Sequence, residues 1–279
     1  MKDLDILHAT DPWDWPENTP ALLLEILRND QTTADDLLKA VEMAGEFCVI
    51  NDELAMALLA IVGQDNQAER IRGLAAIALG PALEDADTYG FDDPDEVPIS
   101  EASFETIQST FETLFMNTDL PKEVRRRILE ASVRAPQSWH KEAIRLAYGD
   151  PDKDWQLTAV FCMRFVHGFK KQILKALNSN DSDIHCEAIS AAGNSEVDAA
   201  WPHIEALLTQ RHTKKELLLA AIEASVQIRP LEACALLTGL LNSRDEDIVD
   251  VVNEAIAMAG SLADLDYEDD FDEGDDGWN

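Results

Sequence analysis

The sequence predicts an all-α chain, a right-handed α-solenoid of about seven stacked helical hairpins, and three observations carry that prediction. First, an apolar-small-Gly signature recurs: Leu74-Ala75-Ala76-Ile77-Ala78-Leu79-Gly80, Glu187-Ala188-Ile189-Ser190-Ala191-Ala192-Gly193 and Glu254-Ala255-Ile256-Ala257-Met258-Ala259-Gly260. Two relatives of it end in proline, at 130–136 and 223–230. Second, the apolar period is helical. Ile248, Val251, Val252, Ala255, Ile256 and Ala259 form one stripe at the i, i+3, i+4, i+7 spacing of a half-buried helix. No stretch alternates with period two, so no sheet is expected. Third, short Asn/Asp/Gly turns that double as N-caps separate the apolar segments.

Taken in order, 1–19 reads as an N-terminal capping segment. Its Asp11-to-Pro20 stretch is proline-rich and non-helical, and its two tryptophans are placed to cover the end of a stack. The hairpins follow at roughly 20–45, 51–80, 100–135, 139–167, 169–193, 198–229 and 230–261, so that the solenoid spans 20–261. One interval between signatures is too long, and 81–99 accounts for it. That segment holds Glu84, Asp85, Asp87, Asp92, Asp93, Asp95 and Glu96 with no base, and is expected to be an acidic surface loop. Residues 262–279 hold nine acids and no base, and are expected to form a disordered acidic tail.

The chain has 55 acidic and 22 basic residues among 279, a formal charge of −33. Such a charge repels nucleic acid phosphates and anionic membranes, so neither is expected as a partner, and self-association is discouraged. A monomer is expected. The cysteines Cys48, Cys162, Cys186 and Cys234 form no CxxC and read as reduced thiols of a cytoplasmic protein. The N-terminal residues do not have the pattern of a secretory leader, and the longest apolar run, Leu54 to Val62, is too short to cross a bilayer.

A helix, a turn with Asp, and a second helix ending in Ala-rich sequence and Gly resembles the HEAT repeat family, in particular its short bacterial type. Asp181-Ser182-Asp183-Ile184-His185-Cys186-Glu187 followed by Ala188 to Gly193 carries the resemblance best. The family usually places Arg where His185 stands. Lys122-Glu123-Val124-Arg125 keeps that Arg, and Glu69-Arg70-Ile71-Arg72 is a second candidate. The resemblance implies a stack of hairpins and, because most such proteins are scaffolds, a non-enzymatic protein-interaction role.

One window departs from the global charge. Between Leu120 and Lys175 there are twelve bases and six acids. Within it Lys122, Arg125, Arg126, Arg127, Arg134, Lys141, Arg145, Lys170 and Lys171, with Trp139 and Trp155 as aromatic anchors, form a candidate docking site for a protein partner with an acidic surface. The competing account is that these bases pair with acids of the chain itself. The six histidines lack metal-ligand spacing, and no phosphate loop, GxSxG or HExxH is present. No catalytic residue, metal or cofactor is expected. The leading expectation is therefore a non-enzymatic scaffold or adaptor. The alternatives are an acidic inhibitor or immunity-type protein that mimics nucleic acid, and a HEAT-like bilin lyase, for which Cys162 and Cys186 are the only soft nucleophiles.

Overall fold

The computed structural model describes residues 2–93 and 96–269, with side chains for 4–93 and 96–260. Every regular element among the described residues is helical. A first short helix, α1 (Lys2–His8), precedes a 3-10 turn at Pro12–Asp14. Hairpins then follow: α2 (Thr19–Arg28) with α3 (Ala34–Ala44), and α4 (Asp52–Gly63) with α5 (Glu69–Ala78). After α6 (Gly80–Tyr89) come α7 (Glu101–Met116) with α8 (Lys122–Ser132), and α9 (His140–Gly149) with α10 (Lys153–Cys162). The last three are α11 (Lys170–Ala176) with α12 (Ser182–Asn194), α13 (Trp201–Thr209) with α14 (Lys215–Ile228), and α15 (Pro230–Leu237) with α16 (Glu246–Asp269). These are the hairpins that the turn chemistry predicts, so the solenoid class stands.

The chain forms two compact units, 1–143 and 144–279. In the first, α3, α5 and α8 pack in succession, backed by a layer of α2, α4 and α7. In the second, α10, α12, α14 and α16 pack in succession, and α11, α13 and α15 pair with them as hairpin partners. Local caps start the helices. Thr33, Asn51, Ser100, Asp152 and Asp181 each accept a backbone N–H of the first turn, which satisfies donors that a helix start leaves bare.

The recurring glycine has a packing reason. A Cβ placed on Gly45 would lie 2.8 Å from Ala78 Cβ, and one on Gly193 would lie 2.8 Å from Ala224 Cα. One on Gly80 would lie 3.5 Å from Ala131 Cα. At Gly45 and Gly193 an alanine of the next inner helix closes the contact, whereas at Gly80 the Arg134 side chain comes closest, at 2.9 Å, and Ala131 lies at ordinary contact distance. Missing side chains on both partners let the helices approach closely, and that contact sets the repeat.

Two expectations are corrected. The acidic insertion 81–99 is not simply a loop, because α6 occupies its first half. Ala82, Leu83 and Ala86 are buried, and α6 packs on α7 and α8. Three apolar residues at i, i+1 and i+4 suffice to seat a helix whose other face is acidic. Gly90, at φ +72°, ends it. Val97 and Ile99 then return to the core, and the Ser100 backbone N–H and hydroxyl both donate to Asp52 Oδ1, at 2.8 and 3.0 Å. Pro94 and Asp95 lie outside the described residues. The tail expected to be disordered from 262 begins as a continuation of α16, which runs to Asp269, and 270–279 lie outside the described residues. At the N-terminus α1 packs on α3 and buries Leu4 completely. Trp15 Nε1 donates to the Leu7 and Thr10 carbonyls, whereas Trp13 is exposed.

Candidate functional site

Each side chain of the predicted basic site has a definite place, and most are occupied within the fold. Arg125 Nε donates to the Phe115 carbonyl at 2.8 Å, and its guanidinium lies 5.1 Å from the Phe115 ring centre. Burial lowers its pKa. Arg72, which is 2% exposed, does the same one hairpin earlier, donating from Nε to the Val62 carbonyl at 2.9 Å. In both hairpins a cation satisfies the last carbonyls of the preceding helix, where the helix dipole favours positive charge. Replacing Arg125 by methionine is therefore expected to lower stability by about 1 kcal/mol in urea unfolding, an effect that a purely docking arginine would not produce.

Arg126 is buried and pairs with Glu123 at 2.6 Å and with Glu130 at 3.8 Å. Arg127 donates to Glu123 at 2.9 Å and to Glu130 at 2.8 Å. Glu130 is itself buried, so the two arginines and two glutamates form a closed network along α8. Arg134 pairs with Glu84 of α6. Lys122 and Lys141 are exposed in the first unit, while Arg145, Lys170 and Lys171 are exposed in the second.

The aromatic anchors are corrected. Trp139 is 9% exposed, lies 5.0 Å from Phe115 ring to ring, and donates from Nε1 to Gln137 Oε1 at 2.8 Å. Trp155 is 6% exposed. Both are core residues of their units and present no area to a partner. In an amphipathic helix a buried tryptophan and a surface one share the same spacing, so the sequence pattern did not separate them.

Cations elsewhere are held in the same way, often by two carboxylates each. Lys39 binds Asp5 at 2.8 Å and Asp35 at 2.7 Å, and these bonds raise its pKa. Lys215 binds Asp245 at 2.7 Å and Asp247 at 2.5 Å, with the same effect. Arg229 reaches Asp198 and Glu232. These cations are thus held locally, and the chain as a whole carries a formal charge of −33.

The candidate site with the clearest shape is a groove of about 590 Å³ across α3, α5 and α8. Leu74 and Ile77 form an apolar strip, and Glu42, Glu69, Arg70, Glu123 and Arg127 line the groove around it. Gly73 lets the Arg127 stem lie close against α5, since a Cβ there would meet Arg127 Cγ at 2.9 Å. Its walls carry both signs of charge, three glutamates and two arginines, around the apolar strip.

Two histidine arrangements escaped the sequence reading. His140 is fully buried; Gln137 N donates to its Nδ1 at 2.7 Å, and its Nε2 meets Ser132 Oγ at 2.9 Å. Burial pushes its pKa down to about 4. His185 and His203 meet Nε2 to Nε2 at 2.8 Å, with ring centres 5.0 Å apart. At that separation the pair shares a hydrogen bond, one ring donating and the other accepting. Among the described residues no group of three or more His, Cys, Asp or Glu is arranged to hold a metal ion. Cys162 is fully buried, and burial, then neighbouring Glu187, Glu216 and Asp183, raise the Cys186 thiol pKa. Neither cysteine is set up as a thiolate nucleophile. No described helix is long and apolar enough to cross a membrane.

No protein-family model matches the chain, and no curated protein matches it. Among solved structures, human deoxyhypusine hydroxylase, determined in complex with glycerol, is similar over 93% of this chain and 96% of that one, with a TM-score of 0.40 and 15% identity. That finding corrects the expectation of a non-enzymatic scaffold. Stacked helical hairpins do not by themselves separate scaffold from enzyme, because activity resides in side chains placed on a fold.

Proposed function

We propose that this chain recognises a basic partner through the carboxylate field of its helical surface, as an inhibitor-type protein that takes the place of nucleic acid on that partner. The supporting observation is the double clamping of the cations. Lys39, Arg126, Arg127, Lys215 and Arg229 each engage two carboxylates of the chain. Four of the nine bases that sequence reading offered to an acidic partner, Arg125, Arg126, Arg127 and Arg134, are held inside the fold, while the excess of 55 acids over 22 bases has no internal counterion. The complementary surface is cationic. Arg72 and Arg125, each closing a hairpin in the same way, support keeping the chain with the HEAT-like repeats. Four free thiols support a reducing, cytoplasmic setting. The reading concerns what the surface recognises and is independent of any catalytic activity.

The test uses an Arg/Lys-rich peptide of the kind that binds DNA phosphates, with a DNA duplex as competitor. The expected result is binding at low salt, an association rate that falls about tenfold or more as salt rises to 0.3 M, and displacement of the chain from the peptide by the duplex. Absence of binding at low salt, or an association rate indifferent to salt, overturns the proposal.

A further inference from the structure

A close glycine–alanine contact joins α3 to α5 and α12 to α14, and is left open at α16. Gly80 and Gly193 are buried, and Gly193 receives an alanine of the next inner helix. Gly260 holds the same place in the signature, yet it is exposed, and no described atom lies within 4 Å of where its Cβ would sit. Two residues earlier the contrast repeats. Ala78 is 9% exposed and Ala191 is 0% exposed, but Met258 is 48% exposed. Ile256, equivalent to the fully buried Ile189, is only partly covered. In the first unit, by contrast, α1 covers the first inner helix, α3, and buries Leu4.

We infer that the free edge of α16 is a docking site for an α-helix of a basic partner, which packs there as the next inner helix of the stack would. This inference rests on the proposed recognition of a basic partner and locates it. The chain's own repeats specify the occupant. Ala78 and Ala224 are the residues that enter the glycine sites, so the docking helix carries alanine or another small residue at its point of closest approach. Charge specifies the rest. Glu254 and Asp250, both exposed, lie one and two helical turns before Met258 on the same stripe, so flanking lysine or arginine on the docking helix meets them. A second copy of this chain presents the wrong sign, with −33 on each copy and carboxylates facing carboxylates.

The probe is a 16-residue peptide copying residues 214–229, whose Ala224 fills the Gly193 site, with Glu216→Lys and Glu223→Lys. Binding to the full chain is read by fluorescence anisotropy. The expected result is saturable binding that weakens tenfold or more on Gly260→Leu, and likewise on Met258→Asp, with neither variant melting below the unaltered chain. A control peptide that also carries Ala224→Leu keeps the charge and is expected to bind at least tenfold more weakly. Equal binding of the two peptides, or indifference to both protein variants, overturns the inference. Concentration-dependent dimers that Gly260→Leu abolishes would assign the edge to a second copy and overturn it. So would tenfold tighter peptide binding by a chain lacking residues 270–279, which would assign the edge to the chain's own terminus. If the Arg/Lys-rich peptide of the preceding test still binds both α16 variants as it binds the unaltered chain, only this inference falls. If that peptide fails to bind the unaltered chain, the basic-partner reading falls with it.

Discussion

Gly193→Ala should destabilise the second unit by about 1–3 kcal/mol, the usual cost of forcing a methyl group into a closed contact. The same change at Gly260 should cost nothing and add roughly 0.5–1 kcal/mol, because alanine is favoured over glycine within a helix. The two glycines hold the same place in one signature, and only their surroundings differ. A Cβ on Gly193 would lie 2.8 Å from Ala224 Cα and 2.5 Å from Gln227 Oε1, whereas a Cβ on Gly260 would meet no described atom within 4 Å. The Gln227 side chain can swing aside, but Ala224 Cα is helix backbone, so α12 and α14 must separate. Urea unfolding followed by far-UV circular dichroism measures both. If the two variants shift the midpoint equally, the glycine is a conformational residue rather than a contact residue, and the packing account of the repeat is wrong.

The second large effect is in pH. His140 has no exposed surface, and burial holds its folded pKa at about 4 against an ordinary 6.5. The Gln137 N–H pointing at Nδ1 leaves that nitrogen as an acceptor, so Nε2 carries the proton and donates to Ser132 Oγ. As pH falls, the unfolded chain takes up the extra proton first. The stability that neutral His140 contributes is complete above pH 6.5 and is lost progressively down to about pH 4. The loss is about 3 kcal/mol over that interval, at 1.36 kcal/mol per unit. His140→Asn offers an acceptor and a donor without titrating. Its unfolding free energy should start lower but fall less steeply between pH 6.5 and 4. Parallel curves for the two proteins would show that the imidazole is not the titrating group.

Much of the architecture is legible along the chain because helical hairpins are local. The seven pairs follow from apolar spacing and from caps such as Asn51, Asp152 and Asp181, all within a few residues of the helices they start. The α6 helix was obscured because its acids dominate the composition, while the three residues that seat it, Ala82, Leu83 and Ala86, are few and small. The candidate site was far less legible. Arg125, Arg126 and Arg127 look alike in sequence, yet one caps α7 and the other two close a network with Glu123 and Glu130. Trp139 and Trp155 look like anchors and lie in the core. The His185–His203 bond joins α12 to α13, two helices whose facing residues are not marked by any spacing.

The identity and order of the hairpins, the helical class and the anionic character thus belong to the linear chain, because turn propensity, amphipathic period and net charge are local or additive quantities. Which glycine is closed and which is open, which arginine is free and which is spent, and which aromatic ring is surface were decided only in three dimensions. Each of those depends on a partner residue from another helix, brought within a few ångströms by packing that no local pattern encodes. Gly193 and Gly260 show the difference most plainly: the same residue at the same place in the signature, with Ala224 against one and no described neighbour against the other.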